Sequence, residues 1–251
     1  METLLLIAAA GFAGLVDAVV GGGGLIQIPT LFAVYPAAAP ASLFGTNKFA
    51  SLFGTANAAF RYARRIRVPW QAALPAAAAA FIFAYLGAMS VALLPKALLR
   101  PLVLVLLLGV AAYTLWRKDF GSSDQSRQHS RRDTALAVLL GAAIGYYDGF
   151  FGPGTGSFLI FLFIRFFGFD FLRAAGAAKV VNAATNAAAL LYFLPHGDVL
   201  WLVAPSMAAA NVAGSMVGAH LALRHGGGFV RRVFLLVVTA LIGKFGYDTL
   251  F

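Results

Sequence analysis

The sequence predicts an all-α polytopic membrane protein. It is expected to be an inverted repeat of two halves, each a glycine-broken, re-entrant or discontinuous helix followed by three transmembrane helices. Three observations carry that expectation. The chain has an apolar excess too large for a water-facing globule, two over-long apolar stretches are interrupted by glycine, and scarce charged residues recur 131 positions apart.

Of the 251 residues, 61% are apolar and 11% charged, against roughly 45–50% and 25% in a soluble domain. Eight helical passes of about 20 residues would use about 160 residues, close to the apolar content here. A soluble enzyme is thereby excluded. The net charge of +10 comes from 19 Lys+Arg against 9 Asp+Glu. In a soluble protein that surplus would point to nucleic acid. Here the basic residues lie mostly in short connections between apolar runs, where they set topology, and no nucleic-acid partner is expected. With no cysteine, disulfides, thiol catalysis and thiolate metal sites are excluded. No HExxH, CxxC or Walker pattern occurs, so neither metal nor cofactor is expected. The N-terminus METLLLIAAAGFAGL lacks a basic leader and its apolar run outlasts a signal peptide, so it reads as part of the mature protein.

Taken in order, the apolar stretches are 3–35, 42–60, 69–94, 101–116, 134–164, 174–194, 199–222 and 233–243 with a C-terminal tail. Arg117–Asp133 has linker composition and separates a first repeat (1–116) from a second (134–251). Residues 3–35 are too long for one span and too short for two, and GGGG at Gly21–Gly24 interrupts them. Residues 134–164 behave alike, with GPGTG at Gly152–Gly156. Glycine runs break helices, and non-helical backbone at membrane depth survives only where protein or a wet cavity covers it. Each stretch is either a broken crossing helix or a hairpin that turns back.

Charge counting separates the two. If all eight stretches cross, the connections hold ten Lys/Arg on one side and seven on the other, Lys96, Arg100, Arg165, Arg173, Arg224, Arg231 and Arg232 forming the smaller set. If the two glycine-broken stretches turn back, fourteen face three, because Arg165, Arg173, Arg224, Arg231 and Arg232 join Arg61, Arg64, Arg65, Arg67, Arg117, Lys118, Arg127, Arg131 and Arg132. The second partition obeys the positive-inside rule far better. It favours six crossings and two re-entrant hairpins, with a cytoplasmic linker and both termini outside. Pro29, Pro75 and Pro205 read as kinks.

The repeat aligns without a gap. Gly14, Asp17, Gly21, Gly23, Gly45 and Lys48 meet Gly145, Asp148, Gly152, Gly154, Gly176 and Lys179, and residues 11–60 share 10 identities with 142–191. Asp and Lys are scarce here, so their recurrence carries more weight than the count. A half that crosses an odd number of times forces its copy to be inverted, with substrate near the midplane at the broken helices.

In the first two stretches of each half the formal charges inside the apolar cores are Asp17, Lys48, Asp148 and Lys179. A charge at the bilayer centre costs at least ~2.5–3.5 kcal/mol on insertion scales, so two equivalent pairs imply a task. Snorkelling would explain Lys48, about seven residues inside its span. A structural ion pair or helix cap would explain Asp17 and Asp148, and both readings are compatible with a binding site. After each break a short helix is expected to start, at Leu25 and at Ser157. Each would aim free N–H groups and a positive dipole end at mid-membrane, which suits an anion. Backbone of Gly22, Gly23, Gly24, Gly154, Thr155, Gly156 and Ser157, with Asn47, Lys48, Lys179 and Asn182, therefore forms the expected anion site. Asp17 and Asp148 are expected to couple protons or pair charge. Gln27, Thr46, Ser51, Thr55 and Asn186 lie close by in sequence. Close helix packing is the competing account of the glycines; it suits Gly14 and Gly145 better than four in a row. His220 reads as an interface residue. Tyr146 and Tyr147, beside Asp148, read as cavity lining or packing.

GLVDAVVGGGGLIQIPTL followed by GTNKFASLFGT, and GYYDGFFGPGTGSF followed by GAAKVVNAATN, resemble the paired signatures of the TauE/SafE sulfite-exporter family, whose members include transporters like the 4-toluene sulfonate uptake permease. The resemblance covers roughly 5–250. It implies a prokaryotic cytoplasmic-membrane transporter, often an exporter, of sulfite, sulfoacetate or related small anions. Its site falls on Asp17, Gly21 to Gly24, Asn47 and Lys48, and on Asp148, Gly152 to Gly156, Lys179 and Asn182. Ala178 stands where the first copy has Asn47, so the site cannot be fully symmetric. The expected function is therefore secondary transport of such an anion, with membrane lipid as surroundings and proton coupling through Asp17 or Asp148. A passive anion channel on the same scaffold is the alternative, and an intramembrane enzyme using Ser157 a remote one. The anion, the coupling ion and the oligomeric state, homo-oligomer included, stay open at this level.

Overall fold

The computed structural model describes residues 2–92, 121, 124, 125 and 130–250. The apolar stretch expected at 101–116 lies outside them, as do Lys96, Arg100, Arg117, Lys118, Arg127 and most of the linker expected at 117–133; of Lys244 only the backbone is described. Among the described residues every regular element is helical. They are α1 (Glu2–Val20), α2 (Gly24–Val34), α3 (Pro40–Arg65), α4 (Trp70–Met89) with a short 3-10 turn at Ser90–Ala92, α5 (Arg131–Phe150), α6 (Thr155–Phe167), α7 (Phe171–Phe193) and α8 (Ala204–Leu250).

Local chemistry sets the boundaries. Pro40 begins α3, where its missing N–H costs nothing. Ser130 and Asp133 form a reciprocal capping box at the start of α5. Asp170 caps α7 by accepting from Leu172 and Arg173 amides at 2.8 and 2.9 Å. Both glycine runs interrupt the chain where expected, and the short helices begin at Gly24 and Thr155, one and two residues earlier than anticipated.

One expectation needs correction, at Pro205. The segments expected at 199–222 and 233–243 do separate: the helical run Ala204–Leu250 is interrupted at Gly226, whose φ 72° and ψ −171° are non-helical, so α8 is two helices meeting at a kink. Pro205 lies in the first turn of α8 rather than at a kink, a position that tolerates proline. Pro29 and Pro75 do lie inside helices.

Two described helices, α1 and α4, are long and apolar enough by composition to cross a membrane. Close glycine contacts fix how helices pair. Gly14 abuts Asn211 and Gly218 abuts Leu15, so α1 and α8 run parallel. Gly141, Gly145 and Gly149 abut Ala76, Ala80 and Ala84, so α5 and α4 also run parallel. Gly45 meets Phe193 while Gly176 meets Tyr62, which makes α3 and α7 antiparallel. A Cβ at any of the three α5 glycines would overlap α4 backbone. This small-residue stripe lets two helix backbones approach closely without a polar tie.

These pairings obey the 131-residue offset. Gly14 against Asn211 corresponds to Gly145 against Ala80, and Gly218 against Leu15 to Gly87 against Tyr146. The first helix of each half thus packs on the fourth helix of the other, while α3 and α7 pack on each other.

In the first half the short helix folds back. Leu31 of α2 packs with Leu6 and Ala10 of α1 and Leu43 of α3, while Gly23, before α2, lies against Ala13 and Asp17. α2 therefore returns along α1. At 11 residues it spans ~16 Å, about half of a ~30 Å hydrocarbon core.

Candidate functional site

The two glycine breaks meet. Gly21 (φ 78°) sits against the backbone of Gly156 and the amide of Ser157, and a side chain on either glycine would overlap the other break. That contact requires glycine on grounds of both space and conformation.

The meeting point leaves the last carbonyls of α1 short of helical partners; that of Asp17 still accepts the Gly21 amide at 2.9 Å, and other elements take up the rest. Ser157 Oγ donates to the carbonyls of Val20 (3.1 Å) and Gly21 (3.3 Å), and Tyr62 Oη donates to that of Ala18 at 3.0 Å. Lys179 Nζ donates to the Asp17 carbonyl and lies 3.6 Å from Asp17 Oδ2. A cation at a helix C-terminus is favoured by the helix dipole. Thr55 Oγ1 donates to that same carboxylate oxygen, Asp17 Oδ2, at 3.2 Å.

The equivalent pair is Lys48 and Asp148. Nζ lies 2.8 Å from Oδ2, with both side chains 3% exposed. That oxygen makes no well-directed hydrogen bond; Asp148 Oδ1 accepts from Thr155 Oγ1 at 2.7 Å. Each ion pair joins a long helix of one half to the broken hairpin of the other. Burying such pairs is costly, and removing one partner costs more.

A cavity of about 20 Å³ opens between the breaks, room for about one water. Asp17, Asn47, Lys48, Asp148, Thr155 and Asn182 line it, with Gly22, Gly24 and Gly156, and with Ser51, Gly152 and Asn186. Among the described residues no acceptor takes the amides of Gly24, Gly156 or Ser157, and Gly24 and Gly156 face the cavity. By contrast, the amides of Leu25, Ile26 and Gln27 turn back onto Gly22 and Gly23 carbonyls. Four expected site residues stay outside the lining: Lys179, Gly23, Gly154 and Ser157. Lys179 is sealed at 0% exposure.

A polar network supports one side. Gln27 Nε2 donates to Asn47 Oδ1 at 3.2 Å, and Asn211 Nδ2 donates to Gln27 Oε1 at 3.0 Å and to the Ala10 carbonyl at 3.2 Å. It ties α1, α2, α3 and α8 together behind Asn47. The offset-equivalents of Gln27, Asn47 and Asn211 are Phe158, Ala178 and Ala80, so the second half lacks it. Sequence reasoning placed Gln27 only as a neighbour and passed over Asn211. The available signal was an amide in the middle of an apolar span, which is expensive unless paired.

The profile of the family described as "Sulfite exporter TauE/SafE" matches residues 6–245, through both breaks and both ion pairs. The chain belongs to the TauE/SafE family. A probable membrane transporter of Sinorhizobium, ORF9, is 37% identical over 238 residues, covering 94% of this chain and 89% of the relative. The probable membrane transporter YfcA of Escherichia coli K12 is 31% identical, covering 98% and 90%. One of Haemophilus influenzae is 30% identical, covering 99% and 96%. No solved structure matches the chain. Membership in TauE/SafE and these relatives make the chain a membrane transporter and not an enzyme. Ser157, the residue weighed as a nucleophile, holds α1 carbonyls instead.

Proposed function

We propose that this TauE/SafE member is a multi-pass secondary transporter of a prokaryotic cytoplasmic membrane. It moves a small sulfur-containing or related organic anion, such as sulfite or sulfoacetate, outward through the cavity between the breaks. The observation that carries the reading is the Lys48–Asp148 pair lining a cavity that unpaired helix amides also face. A positive side chain and preorganised N–H donors are what an oxyanion needs once water is stripped from it.

The helix directions support an inverted repeat with re-entrant hairpins. With α1 parallel to α8, α4 parallel to α5, and α3 antiparallel to α7, the ends bearing Arg64 and Arg65 of α3, Arg131 and Arg132 of α5, Arg165 of α6 and Arg173 of α7 gather on one side. That side is read as cytoplasmic.

Charge balance gives the mechanism. With both ion pairs formed the centre is neutral, and a cavity sized for one water cannot admit a sulfonate. The Lys48–Asp148 contact must open for the anion to reach Lys48. A proton on Asp148 then offsets the added negative charge, whose unneutralised cost at depth is at least ~2.5–3.5 kcal/mol. A dianion carrying one proton still has net negative charge, so an inside-negative potential drives it outward by ~2.3 kcal/mol per 100 mV. Lys179 and Asp17 hold the hairpin that frames the site.

Flux in proteoliposomes with sulfite, sulfoacetate and taurine tests the reading. Saturable uptake of the anions, accelerated by the same anion preloaded inside, is expected of a carrier. Non-saturating flux without that acceleration would mark a passive channel. Unchanged flux in Lys48→Ala/Lys179→Ala would remove the site.

A further inference from the structure

A second, much larger cavity of about 720 Å³ lies where the ends of α3, α7 and the middle of α8 converge. Arg61, Arg64, Arg65 and Arg224 line it, and among the described residues no carboxylate does. None of the four forms an ion pair among the described residues. The positive-inside rule accounts for arginines at this end of the molecule. It does not account for four on one concave surface without a counter-charge.

The pocket is partly built in advance. Ser215 Oγ accepts from Asn57 Nδ2 at 2.8 Å, and Asn57 Oδ1 accepts from Arg61 Nε at 3.3 Å, which aims that guanidinium. The Arg64 guanidinium lies over the Phe60 ring, 4.2 Å from its centroid. Phe60 is 55% exposed and, with Leu223, adds an apolar wall. A free inorganic anion has no use for such a wall; an amphiphile does.

Depth agrees, a step that rests on Lys48 lying at mid-membrane. Arg61 follows Lys48 by 13 residues on α3, or ~20 Å of helix rise. Half of a hydrocarbon core is only ~15 Å, so the guanidinium falls at headgroup level. We infer that this pocket holds the phosphate of an anionic phospholipid, its acyl chain lying along Phe60 and Leu223, independently of which anion the centre carries.

Native mass spectrometry of the full chain in detergent tests this without measuring transport. Phosphatidylglycerol adducts are expected to exceed phosphatidylcholine adducts of the same acyl chains by about tenfold, and Arg61→Gln/Arg64→Gln/Arg224→Gln to bring the two within about twofold. The corresponding triple Lys variant, which retains charge, is expected to keep the preference. Equal adducts of the two lipids on the wild type, or an unchanged preference in the Gln variant, would overturn the inference. So would displacement of the lipid by millimolar inorganic phosphate, which would mark a free-anion site. A photoactivatable phosphatidylglycerol on the wild type avoids any folding defect: labelling is expected within 57–66 and 220–224, and labelling elsewhere alone would end the proposal. Because flux is not read, failure here leaves the central site standing, and the converse also holds.

Discussion

Lys48 of α3 closes on Asp148 of α5, Nζ to Oδ2, at 2.8 Å, while their offset-equivalents Lys179 and Asp17 pair at 3.6 Å on the other side of the two glycine breaks. The pairs correspond in sequence yet differ in setting. Lys48 faces the cavity and Lys179 does not. Different consequences of mutation follow.

Lys48→Ala leaves the Asp148 carboxylate buried with no counter-charge, a loss of about 3–5 kcal/mol. Lys48→Met with Asp148→Asn removes both charges and is expected to recover most of that stability. Neither variant is expected to carry sulfoacetate. Thermal unfolding in detergent together with proteoliposome flux checks this, and active transport by the stable double variant would refute the anion-binding role of Lys48.

Lys179→Met is expected to damage folding more than Lys48→Met. It strands Asp17 and also removes the ammonium from the Asp17 carbonyl, which keeps only the Gly21 amide at 2.9 Å, adding about 1.5–3 kcal/mol for a lost charged hydrogen bond. Comparing the two unfolding midpoints decides it. Equal midpoints would mean that the helix-end contact contributes nothing.

Gly21→Ala combines left-handed strain of about 1–2 kcal/mol with overlap on Gly156 worth about 1–3 kcal/mol. Gly197 offers an internal control. It too has positive φ, 74°, but nothing lies within 4 Å of its would-be Cβ, so Gly197→Ala should show the strain alone. Denaturation of both variants separates crowding from conformation.

Proton coupling has a direction. If a proton on Asp148 accompanies the anion, acidifying the outside of the vesicles raises sulfoacetate uptake, and Asp148→Asn abolishes that dependence while Asp17→Asn retains it wherever the protein folds. Uptake by Asp148→Asn that still follows the pH gradient would assign the proton elsewhere.

Much of the site was legible because charge is conspicuous in an apolar chain. Asp17, Lys48, Asp148 and Lys179 stand out against 61% apolar residues, since each must repay its burial. Four consecutive glycines announce a break because no helix favours them. Gln27 and Asn211 were less visible. An amide carries no formal charge, and its value depends on a partner 184 positions away.

The sequence by itself determined the membrane class, the two interrupted stretches, the repeat and the identity of the four embedded charges, because composition and periodicity are local properties summed along the chain. Only the tertiary structure decided which carboxylate meets which lysine, that the breaks touch each other, and that Lys179 seals a helix end while Lys48 faces a cavity. Those outcomes depend on close approaches between helices far apart in sequence. Such approaches are set by packing at single glycines, and spacing along the chain does not encode which surface each will meet.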